Sequence, residues 1–211
     1  KQRTDWGDSN DAYESAVLDY VRHLLSPDNQ PFLQDFTTSL LPFIRAGLVN
    51  SLTQTLIKLA APGVPDIYQG SEALNFSLVD PDNRLEPDYP ELERLLDAQE
   101  HADPRLQEGW SSGQLKQSFI ARLLHLRQEK PALFRHGEYL PLNADGEQAD
   151  NVIAFARVDE DDALIVLAPR LLFGALDGSL NGAVIPLPER LAHRHYRDML
   201  SGEDVLLNDR V

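Results

Sequence analysis

The chain has 211 residues, of which 42% are hydrophobic and 25% charged, a composition typical of a globular protein rather than a disordered one. Its 19 Lys and Arg against 34 Asp and Glu give a net charge of −15, which disfavours binding to nucleic acids and to anionic membranes. The sequence has no cysteine, which excludes disulfides, cysteine zinc sites and a thiol nucleophile, and we expect a cytoplasmic protein.

The N-terminus and the hydropathy of the chain predict neither a signal peptide nor a membrane span. Residues 1–6 contain no apolar segment, and no apolar run approaches the ~20 residues that a membrane helix needs. Because the chain begins with Lys1 rather than Met, in sequence typical of the middle of a protein, we expect a piece of a longer protein.

Amphipathic helices are predicted in the first part of the chain. Apolar side chains recur every three or four residues over 11–25, which places them on one face of a helix. A further helical turn is expected at 32–36 and a second long helix at 39–60. The Pro62-Gly63 pair then ends that helix.

A short strand and a long polar loop follow this pair. Residues 64–68 are partly β-branched and predict a strand that opens into a loop reaching Asp88. Loops longer than ~12 residues inside a compact domain are often functional. Helices are predicted after the loop at about 90–100 and 114–129.

The pattern changes from helical to extended after Pro131. Short apolar or alternating runs, separated by clusters of Gly, Asn and Asp, predict an antiparallel β-domain; they cover residues 139–142, 152–157, 163–168 and 184–187. We therefore predict two domains, residues 1–132 and 133–211.

The polar loop carries the candidate substrate-binding residues. A helix, a turn, a strand and a loop in succession are typical of one unit of a (β/α)₈ barrel, in which ligands bind at the carboxyl ends of the strands. The side chains there offer hydrogen bonds to hydroxyls and a stacking face for a sugar ring; they are Tyr68, Gln69, Glu72, Asp80, Asp82, Asn83 and Arg84. The alternative is that residues 80–83 only form a solvated turn.

Two motifs in this region resemble known sugar-processing enzymes. Residues 63–72, Gly-Val-Pro-Asp-Ile-Tyr-Gln-Gly-Ser-Glu, resemble the segment around the eighth barrel strand of the α-amylase superfamily, glycoside hydrolase family 13. Residues 78–84, Leu-Val-Asp-Pro-Asp-Asn-Arg, resemble the malto-oligosyltrehalose synthases within that superfamily. That family usually continues with a second Arg and a Pro, whereas this chain has Leu85 and Glu86 before Pro87.

The resemblance implies the C-terminal part of a (β/α)₈ barrel followed by an antiparallel, β-sandwich-like domain. It implies an isomerase that converts the reducing-end α-1,4 bond of malto-oligosaccharides into an α,α-1,1 bond, with malto-oligosaccharides as substrate and no cofactor. The catalytic carboxylates of the superfamily lie in earlier motifs, one of them in a His-Asp pair that this sequence lacks. We therefore expect no catalytic residue in this chain, and an upstream catalytic part of the same protein as its partner.

Other candidate residues carry weaker signals. His193 and His195 alternate as two ligands on one strand face would, but zinc needs three or four ligands, so we predict no metal site. Trp6 and Trp110 could stack on a sugar, although large aromatics are more often core residues. Two rival functions stay open: an amylase-type hydrolase, and a non-catalytic module that only binds glucan or completes a barrel.

Overall fold

The computed structural model describes most of the chain, namely residues 3–5, 7–77, 80, 82–98, 111–160, 162–175 and 182–211. The chain divides into two compact units, Lys1–Arg45 and Ala46–Val211. The domain boundary predicted after residue 132 falls within the second unit and stays a prediction.

Helix α1 spans Asp11–Leu24, as the apolar spacing predicts. It begins where the side-chain oxygen of Asn10 accepts a 3.0 Å hydrogen bond from the Tyr13 backbone N–H. This contact satisfies one of the amide groups that the first turn of a helix leaves without a partner.

Helix α2 spans Gln30–Ala60 and is continuous, although the sequence predicts a short turn and a separate long helix. Thr37 and Thr38 lie between the two predicted pieces; β-branched residues lower helix propensity only slightly, so they do not interrupt it. The helix ends just before Pro62 and Gly63, as predicted. No helix among the described residues is long and apolar enough to cross a membrane.

The strand predicted over residues 64–68 is wrong, because this segment has no regular secondary structure. A strand requires a neighbouring strand whose backbone groups pair with its own, and the described residues place none beside it. Val64 is accordingly 98% exposed. This apolar, partly β-branched segment therefore has no neighbouring strand within the described part of the chain.

Three α-helices follow the loop in the described part of the chain. Helix α3 spans Tyr89–Asp97 and is capped by Asp88, whose carboxylate accepts a 3.1 Å hydrogen bond from the Glu91 N–H. Helix α4 spans Gln114–Glu129, close to the prediction. Helix α5, Pro131–Arg135, is not predicted by the sequence analysis, which takes Pro131 only as the end of the preceding helix.

The described residues after α5 include antiparallel sheets, as predicted. Strands β1 (Glu138–Leu142), β2 (Val152–Asp159) and β3 (Asp162–Pro169) form a three-stranded sheet in the order β1-β2-β3. Strands β4 (Arg194–Arg197) and β5 (Asp204–Leu207) form a separate pair. A sandwich arrangement stays a prediction.

The strand predicted over 184–187 is not a strand. Val184 and Pro186 each make one isolated bridge, to Asp145 and Arg210 respectively. Pro186 has no N–H to donate, which prevents a regular ladder at that position.

Alternating side chains of β2 contribute to two different cores. Ala154 and Ala156 pack with Leu142, Ile185 and Leu191 on one side of the sheet. Phe155 and Val166 lie on the other side and pack with Ala60 at the end of α2, forming a second core.

A third core joins α2 to α4 through Leu59, Phe119, Ile120 and Leu123. The end of α2, from which the polar loop departs, is thus fixed between α4 and the sheet.

Two arginines also hold the end of α2. Arg157 of β2 is buried and donates hydrogen bonds to the carbonyls of Ala60, Phe134 and Gly137 at 3.4, 3.1 and 2.9 Å. Arg127 of α4 donates to the carbonyl of Leu59 at 2.7 Å. Burial lowers the pKa of both side chains below the usual range of arginine. The carbonyls of Leu59, Ala60 and Phe134 lie in the last turns of α2 and α5, where a helix leaves carbonyls without intrahelical partners, and the two guanidinium groups supply donors to them.

Candidate functional site

The polar loop begins with a tight turn. The Tyr68 carbonyl accepts hydrogen bonds from the Ser71 N–H at 2.9 Å and from the Ser71 hydroxyl at 2.6 Å. Gly70 has φ +80°, a backbone conformation that glycine adopts without steric cost. The ring of Tyr68 is left half exposed and the Gln69 side chain exposed, so both can contact a ligand.

Glu72 differs from the other candidate residues in the burial of its carboxylate. Its Oε2 atom is buried and lacks a hydrogen-bond partner in the described part of the chain. The carboxylate acts on Lys116 of α4, whose pKa is lowered by burial and by the charge of Lys58, while Glu72 opposes that shift. The Lys116 ammonium also donates to the Ala73 carbonyl at 3.2 Å. This hydrogen bond ties the loop to α4.

Asp80 and Arg84 form an ion pair at the far end of the loop. The Arg84 Nε lies 2.5 Å from Oδ1 of Asp80, and its Nη2 lies 2.9 Å from Oδ2. Both side chains are more than half exposed, so water screens the pair and its contribution to stability is small. Their separation of four residues is bridged by a 3₁₀ turn over Asp82–Arg84. The guanidinium of Arg84 is therefore oriented by the carboxylate of Asp80.

A cavity of about 590 Å³ lies between this loop and α3. Of the residues predicted to bind substrate, Gln69 and Asn83 line it, whereas Tyr68, Glu72, Asp80 and Arg84 do not. The side chain of Asp82 and the structure of residues 78, 79 and 81 lie outside the described residues.

The cavity also contains residues that the sequence analysis does not single out. Its polar lining includes Asn75, Asp88 and Glu91, and its apolar lining includes Phe76 and several leucines. Asn75 and Phe76 lie within the predicted polar loop, so the length of that loop could have indicated them as site residues. Glu91 lies on α3, and only the packing of that helix brings it to the cavity.

The position of α3 follows from its contacts with α4. The side chain of Gln117 donates a 2.8 Å hydrogen bond to the Leu92 carbonyl. On α3 itself, a hydrogen bond from Arg94 lowers the pKa of Glu91. The cavity thus combines amide and carboxylate acceptors with apolar surface, a combination that suits a ligand with hydroxyl groups and apolar ring faces.

The remaining candidates do not form a site together. His193 precedes β4, and its Nε2 lies 2.9 Å from Oδ1 of Asp209. His195 is exposed on β4. Among the described residues no group of three or more His, Cys, Asp or Glu side chains could hold a metal ion. Trp6 and Trp110 lie outside the described residues.

Comparison with known proteins finds relatives of this chain in both sequence and structure. No protein-family model matches the chain. A curated Mycobacterium tuberculosis protein that carries the name maltooligosyl trehalose synthase is 32% identical over 186 residues, which are 88% of this chain and 22% of the relative.

Solved structures give the same family name. The maltooligosyltrehalose synthase from Arthrobacter ramosus is 33% identical, with a TM-score of 0.75 over 97% of this chain and 25% of that one. A second crystal structure of a maltooligosyl trehalose synthase is 27% identical, with a TM-score of 0.74 over 99% of this chain and 26% of that one.

The chain therefore spans about a quarter or less of the proteins that it matches. Its fold agrees with that of the two solved relatives. In sequence and in fold, nearly all of this chain is similar to one part of the maltooligosyl trehalose synthases.

Proposed function

We propose that this chain is part of an enzyme that converts the reducing-end α-1,4 bond of malto-oligosaccharides into an α,α-1,1 bond. The observation that carries the proposal is the similarity to solved synthases at 33% identity over 97% of the chain. In this proposal residues up to about 132 complete a (β/α)₈ barrel, and the antiparallel sheets form a domain beside it. The segment 64–68 would pair with barrel strands outside this chain, which accounts for its β-branched composition and its exposure.

The reaction requires groups that this chain does not supply by itself. A retaining transfer uses one carboxylate to attack the anomeric carbon and a second carboxyl group to protonate the leaving oxygen. We assign both to the part of the enzyme outside this chain. The released glucose must then turn and attack through its own anomeric hydroxyl before water does, so the site must exclude water.

The polar loop provides groups suited to holding that glucose. Gln69 and Asn83 line the cavity and can hydrogen-bond hydroxyls, while exposed Phe76 offers an apolar face to a sugar ring. Arg84 would donate to hydroxyls from an orientation set by Asp80. Glu72 would instead stabilise the loop through its electrostatic interaction with Lys116 of α4.

A hybrid enzyme tests this function. The part of the Arthrobacter ramosus synthase that matches this chain is replaced by this chain, and maltopentaose is supplied as substrate. We expect reducing ends to be lost without release of glucose. The chain alone, assayed in parallel, is expected to be inactive. Glucose or maltose release by the hybrid would favour a hydrolase, and activity of the chain alone would show that its own carboxylates are catalytic.

Replacing Arg84 by Ala in the hybrid is expected to lower kcat/KM about 10- to 100-fold, the equivalent of losing one or two hydrogen bonds from a charged donor. The melting temperature should hardly change, because the Asp80–Arg84 pair is exposed. Arg190→Ala is the matched control, since Arg190 makes a similar two-contact pair with Glu138 at an exposed position on the β-domain. Equal activity of the two variants would contradict a substrate-binding role for Arg84.

A further inference from the structure

The start of α4 lies against the cavity beside the polar loop. The loop forms one wall of this cavity and α3 forms the other, while Ser112, just before α4, lines it as well. Gly113 at the N-cap of α4 is buried. It packs so closely against the loop that an added Cβ would lie 2.7 Å from the backbone nitrogen of Leu74. The loop is therefore in direct contact with the beginning of α4.

Two consecutive side chains in the first turn of α4 each hold one wall. The Lys116 ammonium donates a 3.2 Å hydrogen bond to the carbonyl of Ala73, which lines the cavity from the loop. The Gln117 amide donates a 2.8 Å hydrogen bond to the carbonyl of Leu92, which lines it from α3. Consecutive residues of a helix point about 100° apart, so one turn can reach two separate segments. The loop and α3 are thus joined to the same helical turn.

Both side chains are shielded from water. Gln117 is 6% exposed, and loss of its amide would leave a buried carbonyl with one donor fewer. Lys116 is partly buried, and its pKa is lowered by burial and by the charge of Lys58, while the charge of Glu72 opposes that shift. The loop therefore supplies this ammonium with both a carboxylate charge and, at Ala73, a hydrogen-bond acceptor.

We propose that Lys116 and Gln117 are positioning residues that set the width of the cavity and so keep water from the glucose released during the reaction; the inference rests on the proposed function. Two nucleophiles can displace the enzyme carboxylate from the anomeric carbon. Attack by the anomeric hydroxyl of the glucose forms the α,α-1,1 bond, whereas attack by water leaves glucose free. In both cases the attacking oxygen gives its proton to the carboxylate that protonated the leaving oxygen, so access to the anomeric carbon decides the product.

The two residues act on this choice indirectly, because neither lines the cavity. Loss of either donor would let one wall move without removing a group that can bind a hydroxyl, such as Gln69 or Asn83. The glucose would then be held less closely, and water could enter beside it. We therefore expect substitutions at Lys116 and Gln117 to change the product ratio more than they change KM.

Hydrogen–deuterium exchange of the chain tests these contacts without relying on activity. Lys116→Met should speed the exchange of the loop amides at residues 71–77, and Gln117→Met should speed that of the α3 amides. Each change is expected to reach up to about tenfold, the effect of one lost hydrogen bond on local opening. Lys116→Arg keeps a donor and should stay close to wild type. Unchanged exchange in both Met variants would overturn the proposal.

Two substitutions at the other end of α4 are the matched controls. Gln128→Met and Lys130→Met make the same chemical changes at exposed positions that do not line the cavity, and Lys130 also has an ion-pair partner to lose, Asp162. They should leave the exchange of the loop and of α3 unchanged. Should Gln117→Met fail to fold, Gln117→Asn is the milder variant and should speed the exchange of α3 less. Controls that match the Lys116 and Gln117 variants would contradict the proposal.

The hybrid enzyme described above tests the effect on the reaction. The ratio of glucose released to α,α-1,1-linked product is measured with maltopentaose. Lys116→Met and Gln117→Met should raise this ratio at least about tenfold above the background of the parent hybrid, which corresponds to one lost hydrogen bond. Lys116→Arg should restore the low ratio. A purely structural role would reduce the amount of active enzyme without changing the ratio, so an unchanged ratio would overturn the proposal.

The outcomes separate this inference from the proposed function. A folded parent hybrid that forms no α,α-1,1-linked product would count against the proposed function, while faster exchange at both walls would still support the positions assigned to Lys116 and Gln117. An active parent hybrid whose variants keep its product ratio would overturn the inference alone.

Discussion

The Gly113→Ala variant is expected to lose about 2–5 kcal/mol of unfolding free energy, the sum of a left-handed backbone cost and an overpacking cost. Gly113 precedes α4 with φ +84°. A Cβ atom there would lie 2.7 Å from the Cβ of Ala73 and 2.7 Å from the backbone nitrogen of Leu74. Both residues line the cavity, so the loop backbone would have to move.

Two other glycines serve as controls for this variant. Gly202 has φ +75° with no atom within 4 Å of an added Cβ, so Gly202→Ala should show only the backbone cost of roughly 1–2 kcal/mol. Gly47 lies inside α2 with open space around it, and Gly47→Ala should be neutral or stabilising by about 0.5–1 kcal/mol. Urea denaturation monitored by circular dichroism measures all three. A Gly113→Ala loss no larger than that of Gly202→Ala would show that the loop yields easily to the methyl group.

Replacing Arg157 by Met is expected to lower the unfolding free energy by roughly 2–4 kcal/mol, because buried carbonyls without partners cost about 1–3 kcal/mol each. The variant removes the donors to Ala60, Phe134 and Gly137. The variant no longer buries a guanidinium charge, which offsets part of this cost, and the Arg157 Nε atom makes no hydrogen bond within the described part of the chain. We expect the lost carbonyl contacts to outweigh this relief, since two of them are at 3.1 Å or less and join β2 to α5 and to the turn before β1.

The Arg157→Lys variant should lie between wild type and Arg157→Met. A single ammonium keeps the charge but lacks the planar fork that reaches several carbonyls together. Arg190→Met is the exposed control and should change the stability little, because water replaces its contact with Glu138. Thermal and chemical denaturation of each variant measure their order of stability. A Met variant as stable as wild type would show that the cost of burying the charge cancels the hydrogen bonds.

The polar loop was predictable from the sequence, but the arrangement of its side chains was not. The resemblance and the polar loop indicate Gln69 and Asn83, and both line the cavity. They do not indicate that the Glu72 carboxylate is partly buried beside α4, or that Asp80 engages the guanidinium of Arg84. These outcomes depend on which side chains the packing brings within hydrogen-bond distance, and residues far apart in the chain decide that. The individual binding roles of these residues stay predictions.

The sequence by itself determined helices α1, α3 and α4 and the three strands of the larger sheet. The periodicity that predicts α1, α4 and the β2–β3 pair is a local property, because the side chains of one segment define its buried face. The helix stop at Pro62 and Gly63 is local too, since it depends on the chemistry of those two residues.

Only the tertiary structure decided the elements that need a partner from elsewhere in the chain. Residues 64–68 have the composition of a strand but pair with no other strand among the described residues, while residues 204–207 form β5 by pairing with β4. Strand formation requires backbone hydrogen bonds to a second segment, so composition alone cannot settle it. For the same reason the burial of Arg157 and the approach of α3 to the polar loop follow from packing between distant segments.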